Sequence, residues 1–472
     1  MNFHQLAETA GVFRGNDICR GEDIQGPERD IPGRSDGRRN KIEARCKSCD
    51  LRIQSWTRLD WCLLSPEKPM QSEFAADQGV PVTMFNLFRS SRKLVLAALC
   101  SVALAACDVA LPGPGGGPSI NTNAPVPVAL LVPSGSGQSG DDVLAQSLEN
   151  AARLAMSELD GVTIDLRVYS TAGSAQQAAS QATQAISDGA RILLGPVYAE
   201  AANAAGVAAA ARNVNVLSFS NNTTIAGGNV FVLGPTFQNT ASRLVNFAGA
   251  QGKANVVVVH SNDVAGQLGR NAIQSAAAVS TVQIGGIVPY ELSQQSVIAA
   301  VPEVTSAVRS SGADTVFLTS TTAGALPLLA QLLPEAGIRT DEVQYIGLTR
   351  WDIPAQTLDL PGVQNGWFAL PDPTLSQRFS QRYQAAYGTT PHPIAGLAFD
   401  GIAAIGALVA NGQSNALTGQ ALTQPAGFTG VNGIFRLRAD GTNERGLAVA
   451  TIQNRQVVVI DPAPRSFTGA GF

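Results

Sequence analysis

The chain has 472 residues, of which 45% are hydrophobic and 14% charged, and its formal net charge is −4. This length allows two domains with cores of their own, and an acidic balance argues against nucleic acid, which binds to basic faces. Beyond residue 107 there is no cysteine, one lysine (Lys253) and two histidines (His260 and His392). These residues are too few for most catalytic or metal sites, so we expect no enzyme, metal or cofactor.

Residues 1–83 differ in composition from the rest of the chain. They are dense in charge, hold four of the six cysteines and show no sustained helix or strand periodicity. Cys46-Lys-Ser-Cys49 has the spacing of half a zinc site, but the other cysteines and His4 stand at irregular distances and do not complete a set of four ligands. We interpret this segment as sequence upstream of the true start or as a disordered extension.

Residues 84–106 have the three parts of a secretory signal. Met84 is followed by a short basic segment, an apolar core from Leu94 and small residues at 105 and 106. The core is shorter than the roughly 20 residues needed to span a bilayer. Because Cys107 follows directly, Leu104-Ala-Ala-Cys107 resembles the lipobox of bacterial lipoproteins, which implies lipidation of that thiol. The alternative is an ordinary signal peptide with an incidental cysteine.

The remaining chain is predicted to be a tethered α/β body. Residues 107–125 are rich in Gly and Pro and indicate a linker, of which some 18 residues reach about 25 Å on average. After it, apolar strands alternate with helix-period segments, which favours parallel sheets covered on both faces. The predicted strands are Val126–Val132, Val162–Val168, Ile192–Leu194, Val214–Leu217, Val230–Leu233, Asn255–Val259, Val282–Val288, Asp314–Leu318 and Val343–Ile346.

The alternation of strands and helices restarts after Gly234-Pro235, so we expect two doubly wound lobes with a cleft between them. Pro371-Asp-Pro373 marks a return, with Thr374 as the cap of the next helix. Asp141 is likewise expected to cap the first helix, which Gly161 ends. The expected bounds are 126–234 and 371–430 for lobe 1, and 236–370 and 431–460 for lobe 2. Gly433–Ile460 is expected to form short antiparallel strands with a turn at Asp440-Gly441, and 461–472 a tail.

Hydroxyl and amide residues follow the strands at the ends where ligands of such sheets bind. Hydroxyls and amides can donate to a carboxylate and accept from an ammonium. The alternative is that these residues are polar only because surface loops are generally polar. The candidate ligand residues are Ser134, Tyr198, Ser218, Ser220 and Asn222 on one wall, and Asn262, Thr321 and Asp352 on the other.

Several segments carry a family resemblance that covers roughly Pro125 to the C-terminus. The Pro-Ser-Gly-Ser-Gly loop after the first strand, Leu193-Leu-Gly-Pro196 and Val216-Leu-Ser-Phe-Ser220 are similar to type I periplasmic solute-binding proteins of the leucine/isoleucine/valine group. Tyr387-Gly-Thr-Thr-Pro391 and Ala398-Phe-Asp-Gly401 resemble the late helices of that group. The resemblance implies a receptor that closes two lobes on a small, amino-acid-like ligand and passes it to a membrane permease.

Two departures from the family pattern leave a second function open. Ala265-Gly266 stands where the group usually has Tyr-Gly, and Gly347-Leu-Thr-Arg350 stands where amino-acid binders place a carboxylate, with Asp352 the nearest substitute. A lipobox and an eroded ligand site also resemble the lipoprotein activators of penicillin-binding proteins, which contact a peptidoglycan synthase. Both functions imply a periplasmic protein anchored by lipid to the inner or outer membrane.

We predict that the mature protein begins at Cys107 and is acylated there, because the signal-like series ends at that thiol. Mass spectrometry of the membrane fraction should find lipid on Cys107 and no peptides from residues 1–83. Abundant peptides covering Cys46 to Trp61 would contradict both the start at Met84 and the location.

Overall fold

The computed structural model describes residues 116–467. The proposed upstream segment (1–83), the signal (84–106), Cys107 and residues 468–472 lie outside the described residues. Within 116–467, no helix combines the length and apolar character needed to cross a membrane.

The first lobe is built on a parallel five-stranded sheet with the order β2-β1-β3-β4-β5. Strands β3, β4 and β5 are buried at every position, as expected where helices cover both faces. The strands are β1 Val126–Val132, β2 Ile164–Ser170, β3 Ile192–Leu194, β4 Asn215–Ser218 and β5 Val230–Val232, and the helices are α1 Ser139–Ser157, α2 Ala175–Ser187 and α3 Ala199–Ala210, with a 3-10 turn at Thr223–Ile225.

The second lobe has its own sheet, with the order β15-β14-β10-β9-β8-β6-β7, in which β14 runs antiparallel to both of its neighbours, β10 and β15. Two separate sheets confirm the predicted doubly wound fold. The strands are β6 Asn255–Ser261, β7 Gln283–Tyr290, β8 Thr315–Leu318, β9 Gln344–Gly347, β10 Trp367–Leu370, β14 Ala448–Gln453 and β15 Gln456–Asp461. The helices are α4 Phe237–Ala250, α5 Val264–Ala277, α6 Gln294–Ser311 and α7 Leu326–Glu335, with 3-10 turns at Ala355–Asp359 and Pro361–Val363.

The chain returns to the first lobe after β10 and stays there longer than expected. Phe435 and Leu437 are buried in the same apolar cluster as Leu148 and Ile402, so residues 431–445 belong to the first lobe rather than the second. The chain leaves the first lobe only at Gly446. The returning elements are α8 Pro373–Tyr387, α9 Gly396–Ala410, α10 Gly419–Leu422, β11 Phe428–Gly430, β12 Gly433–Leu437 and β13 Asn443–Arg445.

Part of the predicted linker, at Gly116 and Ile120, is attached to the body. The Gly116 carbonyl accepts hydrogen bonds from Asn215 Nδ2 at 3.1 Å and from the Gly419 N–H at 3.0 Å. The Ile120 N–H donates to the Ser414 carbonyl at 2.8 Å, and the Ile120 side chain packs into the first core. The C-terminal tail was predicted to begin at residue 461, but Asp461 is the last residue of β15.

Two predicted helix caps are wrong. Asp141 lies inside the first turn of α1, which starts at Ser139 and ends at Ser157, before Gly161, and its carboxylate accepts from the Tyr198 hydroxyl. At α8, Asp372 rather than Thr374 is the cap, and it accepts from the N–H groups of Thr374 at 2.9 Å and Leu375 at 3.1 Å. The antiparallel strands are confirmed in the pairs β12–β13 and β14–β15.

A buried polar network holds the segments that cross between the lobes. Asn443 Nδ2 donates to the carbonyls of Val232 at 2.7 Å and Gly234 at 2.9 Å, on the first crossing. The Asn443 carbonyl accepts from Asn239 Nδ2 of α4 at 2.9 Å. Asn443, at the start of β13 and just before the third crossing, is therefore bonded both to the first crossing and to the second lobe.

Arg445 carries the charge of this network. Its Nε donates to the Leu233 carbonyl at 2.9 Å, and its Nη1 lies 3.3 Å from Asp400 Oδ2. Asp400 Oδ1 accepts from the Val431 N–H at 2.7 Å, and both charged side chains are almost fully buried. Burial raises the pKa of the Asp400 carboxyl, while the charge of Arg445 opposes that rise.

We predict that Asp400→Ala lowers the free energy of unfolding by about 3–5 kcal/mol, because it leaves a buried guanidinium without its counter-ion. Urea denaturation would measure this. Asp341→Ala, which breaks the exposed pair with Arg339, is the control and should leave the midpoint unchanged. Equal midpoint shifts in the two variants would contradict the role assigned to the buried pair.

Candidate ligand site

The carboxyl ends of both sheets lie at the crossing segments. Strand β5 ends at Val232, just before Gly234-Pro235, and β10 ends at Leu370, just before Pro371. Parallel strands all end at the same edge of a sheet, so the loops after β1, β3 and β4 share the edge of β5, and those after β6–β9 share the edge of β10. Ligands of doubly wound sheets bind at such edges, so this is the candidate site.

On the first lobe, the loop after β3 is fixed to the first turn of α1. The Tyr198 hydroxyl donates to the Asp141 carboxylate, which is buried. Gly195 makes the bend before Tyr198 at φ +88°, where a Cβ would come within 2.3 Å of the Leu131 carbonyl oxygen. Ser134 Oγ lies 2.6 Å from Ser170 Oγ, which joins the loop after β1 to the end of β2.

The loop after β4 is a series of side-chain turns. Ser218 Oγ donates to the Pro196 carbonyl and accepts from the Ser220 N–H, each at 3.1 Å. Ser220 Oγ in turn accepts from the Asn222 N–H at 3.1 Å, and Asn222 Oδ1 accepts from the Thr224 N–H at 2.9 Å. Ser220 is only 5% exposed, so a bulky residue at this position would disturb the fold as well as any site.

On the second lobe, the three predicted residues have partners or face solvent. Asn262 Nδ2 donates to Glu291 Oε1 at 2.8 Å. Thr321 is exposed, and its carbonyl accepts from the Leu326 N–H that begins α7. Asp352 accepts from Arg350 Nε at 2.8 Å and forms a second contact with the same guanidinium, so its charge is already neutralised.

Three of the groups without partners lie one or two positions from the predicted residues, and the fourth, Tyr290, lies on a different strand. Among the described residues, the buried atoms Tyr290 Oη, Thr319 Oγ1, Ser320 Oγ and Trp351 Nε1 have no hydrogen-bond partner. All four follow or end strands of the second sheet at its carboxyl edge. A buried polar group without a partner costs about 1–3 kcal/mol, so these atoms are candidates for contact with a bound polar group; Asn443 Oδ1, in the network at the crossing segments, also has no partner.

Tyr290 is the largest of these groups. Burial raises the pKa of its phenol to about 12, although the nearby hydroxyls of Ser261 and Ser320 oppose that rise. The phenol is therefore neutral at physiological pH and able to donate. Ser261 Oγ itself donates to Asp263 Oδ1 at 2.5 Å. Within residues 116–467, no three His, Cys, Asp or Glu side chains gather as a metal site would require.

Sequence reasoning missed Tyr290 because strands β6 and β7 each extend two residues farther than predicted. Ser261 and Tyr290 are therefore the last residues of strands, with side chains directed by the sheet. The signal available in the sequence was the hydroxyl residue placed directly after an apolar run, as at Thr319 after Leu318.

A family model described as "Periplasmic binding protein" matches residues 125–456, well over half of the chain. The chain belongs to the periplasmic binding protein family. Membership implies a periplasmic location and a solute-binding fold. No curated protein matches the chain closely enough to add to this assignment.

Solved structures agree with the fold of this periplasmic binding protein. A branched-chain amino acid ABC transporter protein from Rhodospirillum rubrum is similar, with 17% identity and a TM-score of 0.61 over 71% of this chain and 100% of that one. A branched-chain amino acid ABC transporter periplasmic ligand-binding protein from Burkholderia xenovorans has 16% identity and a TM-score of 0.58 over 73% and 97%. A substrate-binding protein from Desulfitobacterium hafniense in complex with Leu has 18% identity and a TM-score of 0.53 over 71% and 100%.

We predict that Tyr198→Phe lowers the free energy of unfolding by about 1–3 kcal/mol, because it leaves the buried Asp141 carboxylate without the hydroxyl that donates to it. Tyr169→Phe is a matched control, since it removes a similar bond to Asp188 that is exposed to solvent. Urea denaturation should show the larger loss for Tyr198→Phe. The reverse order would mean that the Tyr198–Asp141 bond does not fix the loop.

Proposed function

We propose that this periplasmic binding protein is a lipid-anchored receptor that closes two lobes on a small polar ligand and passes it to a membrane permease. The observation that carries the proposal is the group of buried, unpartnered polar atoms at the carboxyl edge of the second sheet. Ligand pockets place a few polar groups on apolar surroundings in this way. We propose no catalytic step.

In this proposal the first lobe supplies the wall formed by Ser134, Tyr198, Ser218, Ser220 and Asn222. Their side chains are bonded to one another's loops, so the wall is ordered before a ligand arrives. The second lobe supplies Tyr290 and Ser320 beneath an outer rim of Asn262, Thr321 and Asp352. A preordered wall lowers the entropy cost of binding.

The lipid anchor rests on the sequence around Cys107 and agrees with the ligand-carrier role. A receptor acylated in the inner membrane would stay beside its permease. The neighbours from Rhodospirillum rubrum and Burkholderia xenovorans, named as ABC transporter proteins, support a permease as the partner.

One observation favours the alternative, an activator of a penicillin-binding protein. The edge strand β15 exposes the apolar side chains of Val458, Val459 and Ile460, each 37–41% accessible. An exposed apolar edge strand can pair with another protein. In that case the fold would act as an interaction module for a peptidoglycan synthase.

We predict that a small polar ligand raises the melting temperature by several degrees, since a ligand that binds only the folded state stabilises it. A thermal-shift screen of amino acids, organic acids and small peptides would measure this. If no compound shifts the transition, and a pull-down recovers a peptidoglycan synthase whose binding is lost on Val459→Lys, the activator function replaces the receptor. Exposed Val207→Lys, on α3, is the control for added surface charge.

A further inference from the structure

The last described residues, 462–467, connect the second lobe to the first, although the sequence indicated only a tail. They follow β15, whose last residue, Asp461, accepts a hydrogen bond from Arg243 of α4 at 2.6 Å. Two positions farther on, Ala463 is buried in the apolar cluster of the second lobe that contains Ile452 of β14. The segment therefore starts firmly attached to the second lobe.

Pro464 brings the segment onto the third crossing, and Phe467 brings it onto the first lobe. A Cβ at Gly446 would lie 3.1 Å from the Pro464 carbonyl oxygen and 3.3 Å from its Cγ, so the lack of a side chain at Gly446 allows this close approach. A Cβ at Gly427 would lie 2.7 Å from Cε2 of the Phe467 ring. Because Gly427 immediately precedes β11 of the first lobe, residues 462–467 make a fourth connection between the lobes.

Arg436 of β12 holds the far end of this connection. Its guanidinium carbon lies 4.6 Å from the centroid of the Phe467 ring, a distance at which a cation is attracted to the face of an aromatic ring. Glu444 on β13 accepts from Arg436 Nε at 2.5 Å, and the Pro425 carbonyl accepts from its Nη1 at 3.4 Å, so the planar guanidinium is already oriented for the ring to stack on it. Phe467 is only half-buried and belongs to none of the apolar clusters, so its ring can leave without opening a cavity in a core.

This fourth connection differs from the three crossings because it can be released. The crossings are held by the buried hydrogen bonds of Asn443 and Arg445, whereas residues 462–467 reach the first lobe through one partly exposed ring contact. We propose that residues 462–467 are a releasable strap, in which the Phe467 ring stacked on Arg436 limits how far the two lobes rotate relative to each other. Release of the ring leaves the lobes free to rotate about the three crossings. The proposal goes beyond the receptor function, since the strap acts with or without a ligand.

Distances between the lobes test the proposal on the whole chain. Spin labels carried by unnatural side chains would replace Val143 of α1 and Val264 of α5, which are 65% and 76% exposed and lie on different lobes. Double electron–electron resonance then measures the distribution of the distance between the two labels. Phe467→Ala should widen this distribution by several ångströms, because the lobes lose the contact that limits their rotation. Arg436→Gln, which removes the cation on the other side of the contact, should widen it likewise.

Phe467→Tyr is the matched control, since it keeps an aromatic ring over the guanidinium, and its distance distribution should equal that of the unsubstituted chain. The melting temperature of Phe467→Ala should stay within a few degrees of that chain, because the ring fills no core. A distribution that is unchanged in both Phe467→Ala and Arg436→Gln, or that widens as much in Phe467→Tyr, would overturn the strap. Widening accompanied by a large loss of melting temperature would also overturn it, because Phe467 would then serve the folding of the first lobe.

Discussion

The guanidinium of Arg445 is the group on which the two-lobed arrangement depends. It is buried, so its charge requires partners, and it finds them in Asp400 of α9 and in the carbonyl of Leu233. Those partners belong to a helix of the first lobe and to the first crossing segment, while Arg445 itself begins the third crossing. One buried charge thereby fixes where the chain passes between the lobes. A motion of one lobe relative to the other that keeps these bonds would have to rotate about them.

The two walls of the candidate site differ in how far their polar groups are satisfied. On the first lobe, Tyr198, Ser218 and Ser220 are bonded within or between loops. On the second lobe, Tyr290 and Ser320 retain unmatched atoms. Satisfied polar groups make a rigid surface, while unmatched ones carry a free-energy cost that a bound partner relieves. In the proposed receptor, the first lobe would supply the shape of the site, and the second would supply the polar groups whose free energy falls on binding.

The sequence predicted the strands well because buried parallel strands are continuous apolar runs bounded by turn residues, as in Val126–Val132 and Ile192–Leu194. It failed where tertiary contacts decide. Ile120 stands among Gly and Pro residues, yet it packs into the first core. Asp141 was predicted to cap the first helix, but its carboxylate instead accepts a hydrogen bond from the Tyr198 hydroxyl, 57 positions away. Tyr290 was not among the predicted site residues, because β7 extends two residues beyond the predicted strand through pairing with β6 that sequence periodicity does not record.

The attachment of residues 116–120 has a consequence for the reach of the receptor. Gly116 is bonded to Asn215, the first residue of β4, so it lies at the edge of the sheet opposite the candidate site. Even fully extended, the segment from Cys107 to Gly116 spans only about 30 Å. With Cys107 acylated, the body would stand close to the lipid surface with the opening of the first lobe turned outward. Ligand capture would then face the periplasm, and delivery would require a permease in the same membrane and a tilt of the body toward it.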